Sequence, residues 1–176
     1  YELCRPLSVY NMCYARSLAN RLSKAVLRCM PILLVAVSLP APYGLSAPAG
    51  VLEFLLFLFT MTLAVLVTVS FTLLIYMLSF FTLSPEGLRI IFMSIIEFFQ
   101  GAIIPLPFFP DRIRLVMELL PFASMQNVPL RVYSGDLSGA ALQRAVFLQL
   151  FWLAVLLGIG KLLERRAMGR VVVQGG

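Results

Sequence analysis

Glu97 and Gln100 stand three residues apart in "SIIEFFQGAIIPLPFFP", residues 94–110. A carboxyl and an amide at that spacing lie on one face of a helix and can share a hydrogen bond. Measured from Pro85, Glu97 lies about 18 Å along such a helix, deep within a hydrocarbon core of about 30 Å. An ionisable side chain at that depth is a candidate for a transport path or gate. The competing reading is an uncharged carboxyl packed between helices. Gly101, Pro105 and Pro107 follow at once, and each proline lacks the N–H that would continue the ladder. Carbonyls freed by such a break must find protein or water, which places it among helices or near a surface.

A second group of charges lies in "YARSLANRLSKAVLRC", residues 14–29. Leu18, Leu22, Ala25, Val26 and Cys29 recur at helical spacing, with Arg21, Lys24 and Arg28 on the neighbouring face. This pattern describes a helix lying in a membrane interface. It serves either to anchor the chain to anionic headgroups or to dock a cytoplasmic partner.

The elements that must position these residues are membrane helices. Hydrophobic residues make up 61% of the chain and charged residues 12%, with a mean hydropathy of +0.96, far more apolar than a soluble domain. Fourteen Lys and Arg stand against eight Asp and Glu, but they flank apolar runs and do not form a basic, aromatic-interleaved patch, which argues against nucleic acid. There is no histidine, and Cys4, Cys13 and Cys29 fit no zinc spacing, so no metal site is expected and the cysteines read as reduced thiols. The chain begins at Tyr1 without signal-peptide features, as a segment of a longer protein would.

Four runs are long enough to cross a bilayer: residues 29–47, 51–80, 86–106 and 145–163. In the second, Thr60, Thr62, Thr68, Ser70 and Thr72 read as helix-packing residues in preference to substrate-lining ones. Ser84 and Pro85 suit a cap and first helical position for the third. Between the third and fourth, Ile113, Val116, Met117 and Leu120 give residues 111–120 one apolar face, and Pro121 stops that helix. A further helix is expected from Asp136, an N-cap candidate, through Arg144 into the last span. Residues 110–144 thus form an external helical cap, and residues 164–176 a cytoplasmic tail.

Flanking charges set the orientation. With both ends cytoplasmic, Arg5, Arg16, Arg21, Lys24, Arg28, Arg89, Lys161, Arg165, Arg166 and Arg170 lie inside, and only Arg112, Arg114, Arg131 and Arg144 lie outside.

The combination of "RPLS" at 5–8, "GAIIPLPFFP" at 101–110, "LLPF" at 119–122 and the terminal "VVVQGG" resembles the ABC-2 type permeases, the membrane subunits of ABC exporters. It is most similar to the subgroup in which two permease chains work with a separate ATP-binding protein. The resemblance implies an all-α polytopic bundle, of which this sequence holds the last four of six membrane helices, preceded by a coupling helix in residues 1–28. Arg16, Arg21 and Lys24 become candidate contacts to the ATPase, which makes docking the favoured role for that helix. Glu97, Gln100, Gly101, Pro105 and Pro107 become candidate pathway or gate residues. The implied partners are an ATP-binding cassette subunit, which would hold ATP and magnesium, a second permease subunit of the same or a different kind, and membrane lipid. The expected activity is export of a drug-like, lipid or peptide substrate across the plasma membrane.

No cofactor is expected in this chain, because it contains no GxxxxGK[ST] phosphate loop. A polytopic membrane enzyme would need clustered acids or histidines, which the sequence lacks. A non-transporting membrane scaffold is the remaining alternative.

Overall fold

The computed structural model describes residues 9–40, 50–79, 82 and 84–168. The "RPLS" and "VVVQGG" motifs, Cys4, most of the loop after the first helix and the end of the expected cytoplasmic tail lie outside them.

Among the described residues all regular structure is helical. The order is α1 (Val9–Ser38), α2 (Val51–Ser79), α3 (Pro85–Phe99), a 3₁₀ turn (Leu106–Phe108), α4 (Asp111–Leu119), α5 (Asn127–Tyr133) and α6 (Gly139–Met168). Two of these, α2 and α6, are long and apolar enough to cross a membrane.

Helix α2 is the centre of the bundle and touches α1, α3, α5 and α6. Its sequence is apolar on every face, as a helix enclosed by others and by lipid must be. Its hydroxyls are satisfied within the helix: Thr60 Oγ1 donates to the Leu56 carbonyl at 2.9 Å, Thr62 to Leu58 at 2.8 Å, Thr68 to Ala64 at 2.6 Å, Ser70 to Leu66 at 2.8 Å and Thr72 to Thr68 at 2.8 Å. Each hydroxyl closes on the preceding turn, which lets Thr60 and Ser70 be fully buried without an orphaned polar atom.

Packing joins the elements at two ends. Near one end, Val69, Leu73 and Met77 of α2 pack with Tyr10, Cys13, Tyr14 and Leu18 of α1 and with Leu157 and Leu163 of α6. At the other, Val128, Val132 and Leu137 pack on Leu56 and Phe57 of α2 and Leu142 and Ala145 of α6. On another face of α2, level with the first of these, Val67, Phe71, Ile75, Ile96, Met125 and Leu156 form a core to which α2, α3, the cap and α6 all contribute.

Several expected boundaries move. The basic stretch and the start of the expected first span are one continuous helix, because Pro31 removes a single ladder bond without supplying a turn. The apolar part of α1, including Leu27, Ile32, Leu34 and Val37, is uncovered among the described residues. The third helix stops at Phe99, not near residue 106. Its 15 residues extend only about 22 Å. Pro85 opens that helix as expected, but the Ser84 side chain makes no capping bond. Helix α6 begins at Gly139, three residues after Asp136, whose carboxylate instead accepts from Arg131 Nε at 2.6 Å.

Helix α5 has no counterpart in the sequence reading. Seven residues are too few to display a helical period, and Pro129 in its first turn resembles a breaker. Burial of Val128 and Val132 supplies what propensity does not.

Candidate coupling and gate sites

The first turn of α1 contains no acidic residue to complement its free N–H groups. Glu164, in the last turns of α6, supplies one: Oε1 accepts from the Tyr10 backbone N–H at 2.7 Å. The Tyr10 ring is buried directly over Gly160, where a Cβ would lie 2.5 Å from the phenol oxygen and 2.7 Å from Cε2. Only a residue without a side chain permits that approach. Burial pushes the Tyr10 phenol up to about 12, with Tyr14 and Glu164 adding to the effect. It is therefore neutral at physiological pH. One turn further, the Tyr14 hydroxyl donates to the Leu66 carbonyl at 3.2 Å and lies 3.3 Å from Ser70 Oγ.

The face of α1 that carries Tyr10, Tyr14 and Leu18 continues as Arg21, Lys24, Ala25 and Arg28. These residues line a cleft whose opposite wall is Val69, Thr72 and Tyr76 of α2. The apolar stripe that packs on α2 thus ends at Leu18 and becomes basic. Leu22 and Val26, expected to hold the helix to the membrane or to the bundle, are not packed on the bundle. Arg16, Arg21 and Lys24 all have exposed side chains. Arg21 and Lys24 share the cleft, and Arg16 is not among the residues that line it.

At the opposite end the break after α3 has its own geometry. The ladder ends with the Gln100 N–H donating to the Ile96 carbonyl at 2.9 Å, and Gly101 follows at φ +85°. The reversal is therefore made at Gly101, four residues before Pro105. Pro105 is extended and precedes the 3₁₀ turn, and Pro107 lies inside that turn, so the prolines shape the return and do not end the helix. Leu106 is the anchor: it is fully buried with Met117 and Ala123, against Phe99 and Phe109. A Cβ on Gly101 would meet Leu106 Cδ1 at 2.7 Å. The return is held by one leucine and a cluster of rings, with Phe98 5.2 Å from Phe99 and 6.3 Å from Phe109 between centroids.

Glu97 does not meet Gln100. Ile96 takes the buried position on α3, Glu97 is turned away from the chain's own bundle and exposed, and it makes no hydrogen bond or ion pair among the described residues. Packing between helices of this chain is therefore not its environment. In α4 only Met117 of the expected apolar face is fully buried, and Leu120 is partly so. Ile113 and Val116 are exposed.

Two α6 side chains bind the cap. Gln149 is completely buried, and its Nε2 donates to the Thr60 carbonyl at 3.1 Å and the Ser124 carbonyl at 3.0 Å. Trp152 Nε1 donates to the Leu119 carbonyl at 2.8 Å. Within the cap, Arg131 joins Glu118 at 2.9 Å and Asp136 at 2.6 Å. Tyr10, Gln149, Trp152, Gly160 and Glu164 escaped the sequence reading. The one usable signal was Gln149, a lone amide inside "AVFLQLFWLAVLL". The others take their roles from partners far away in sequence.

The described residues thus form an all-helical bundle with two helices long and apolar enough to cross a membrane, a helix hydrogen-bonded across one end and a folded cap at the other. A family model described as ABC-2 family transporter protein matches residues 1–175, and the chain belongs to that family. It is a membrane protein of the ABC transport class. No curated protein and no solved structure matches it.

Proposed function

We propose that this chain is the permease subunit of an ATP-driven exporter, and that α6 relays movement between its two ends. One observation carries this reading: α6 is hydrogen-bonded to α1 through Glu164 and packed against it at Gly160, and is hydrogen-bonded to the cap through Gln149 and Trp152. Gln149 and Glu164 are about 22 Å apart along the same unbroken helix, so a shift of α1 reaches the cap without an intervening loop. Both ends of the chain lie in the cytoplasm, and α1 meets a separate ATP-binding subunit that holds ATP and magnesium. Arg16, Arg21 and Lys24 contribute the docking charge. A second permease subunit completes the pathway.

When nucleotide draws the cytoplasmic subunits together, α1 and α6 move as one body. The cap then shifts against the Gln100–Phe109 turn, and Gly101, Pro105 and Pro107 allow that turn to open outward. Glu97, exposed on α3, faces the pathway or the second subunit. A hydrophobic or amphipathic substrate leaves across the plasma membrane. The uncovered apolar surfaces of α1, α3 and α4 support this reading, because they require lipid or another subunit to cover them.

The test is charge reversal. Single exposed ion pairs contribute about 0 to 1 kcal/mol, so one substitution is tolerated. Replacing Arg16, Arg21 and Lys24 together by Glu should weaken ATPase association and abolish substrate-stimulated hydrolysis while membrane insertion persists. Co-purification of the ATPase at the parent's yield and salt sensitivity would refute docking through these residues.

A further inference from the structure

A recess of about 160 Å³ between the cap and the first turns of α6 is unused by the relay described above. Arg114, Arg131 and Arg144 line it with Glu118, and Leu137 and Leu148 form part of its apolar wall. Its three guanidinium groups differ in how far they are already engaged. Arg131 is held by Glu118 and Asp136. Arg114 reaches Asp111 at 3.1 Å and Glu118 at 3.9 Å, but Asp111 is 90% exposed and Glu118 is already bound by Arg131. Exposed pairs of this kind hold their partners weakly. Arg144 has no hydrogen bond or ion pair among the described residues. The recess therefore presents one free guanidinium and one loosely engaged one beside apolar side chains.

Its level in the membrane follows from α6. Phe147, Leu150 and Phe151 are exposed on that helix and begin three residues after Arg144, about 5 Å deeper along its axis. In a membrane helix such side chains face acyl chains, so Arg144 lies at headgroup level. A guanidinium presents paired donors that match two oxygens of a phosphate. The adjoining apolar wall suits glycerol and the first methylenes of a lipid, and offers nothing to a fully hydrated anion.

We infer that this recess binds the phosphate of a phospholipid headgroup, with Arg144 as the principal donor, Arg114 as the second, and Leu137 and Leu148 against the start of the acyl chains. Bound lipid would brace the cap against α6. The assignment requires only that α6 cross the membrane, and is independent of the transported substrate and of the direction of transport.

Trp152, the single tryptophan of the chain, lies two turns along α6 from Arg144 and reports on the site. Its fluorescence is quenched by lipids with brominated acyl chains, so purified protein can be titrated in mixed micelles with brominated phosphatidylglycerol or with a brominated glycolipid of the same chains. The phospholipid should quench at about tenfold lower mole fraction, the factor expected for one charge-assisted contact. Arg144→Gln should bring the two curves together, and Arg144→Lys should retain part of the preference. Unaltered Trp152 emission before titration would show that each variant is folded. Superimposed curves for the parent, or an undiminished preference in Arg144→Gln, would overturn the assignment. Millimolar inorganic phosphate should leave the preference intact. Its abolition by inorganic phosphate would assign the recess to a free anion and overturn the lipid reading.

Discussion

The Tyr10 backbone N–H donates to Glu164 Oε1 at 2.7 Å, so residues 154 positions apart join the first turn of α1 to the end of α6. This carboxylate does for α1 what its own first turn cannot, since none of those residues is acidic. Removing it takes away the acceptor of the Tyr10 N–H and one tie between α1 and α6. Glu164→Ala should cost about 1 kcal/mol or more, measured as a lower thermal midpoint. It should also reduce substrate-stimulated ATP hydrolysis in the assembled transporter. Glu164→Gln keeps an acceptor oxygen and should lose less. Equal midpoints for parent and Glu164→Ala would show that the bond contributes nothing to the union of α1 and α6.

Gln149 can be tested by the sign of its hydrogen bonds. Its amide gives both Nε2 protons to carbonyls, while its Oε1 is buried without a partner among the described residues. Gln149→Leu strands two acceptors but removes one orphan, for a net loss of about 1 to 3 kcal/mol. Gln149→Glu places a carboxyl oxygen against two carbonyl oxygens and should be worse. Limited proteolysis of the cap would report both. A glutamate variant as resistant as the leucine variant would contradict the donor assignment.

Gly101 combines a left-handed backbone with a close neighbour. Gly101→Ala meets both the φ of +85° and Leu106 Cδ1, and should destabilise the turn by about 1 to 2 kcal/mol. Pairing it with Leu106→Ala removes the steric contact but not the backbone cost, and also opens a cavity in the cluster with Met117. The double variant should therefore be no more stable than Gly101→Ala. Recovery of the parent's midpoint would mean that contact, not conformation, requires glycine.

Glu97 is exposed and unbonded among the described residues, so Glu97→Gln should change thermal stability by less than about 0.5 kcal/mol. If it faces the transport path, the amide should still lower substrate-stimulated hydrolysis or export. Rates equal to the parent's would end its candidacy as a gate residue.

The sequence alone determined what depends on composition and local pattern. An apolar excess and long uncharged runs require helices, because the membrane core offers no partner for a backbone N–H or carbonyl. The hydroxyls of α2 read as packing residues because a threonine can close on its own preceding turn wherever the helix lies. That α4 is a helix ending just before Pro121 was legible for the same local reason, but which of its apolar residues would be covered was not. Tertiary structure decided the rest. Whether Glu97 faces inward depends on which side of α3 meets α2, and Ile96 took that place. The basic face of α1 opened onto α2 because the apolar stripe runs out at Leu18, a fact that acquires meaning only when α2 lies beside it. Gly101, not the conspicuous prolines, reverses the chain because the buried Leu106 anchors the return. Gly160 and Glu164 matter through Tyr10, and Gln149 through Thr60 and Ser124. In each case the partner lies across the bundle, and no period along the chain records a distance between helices.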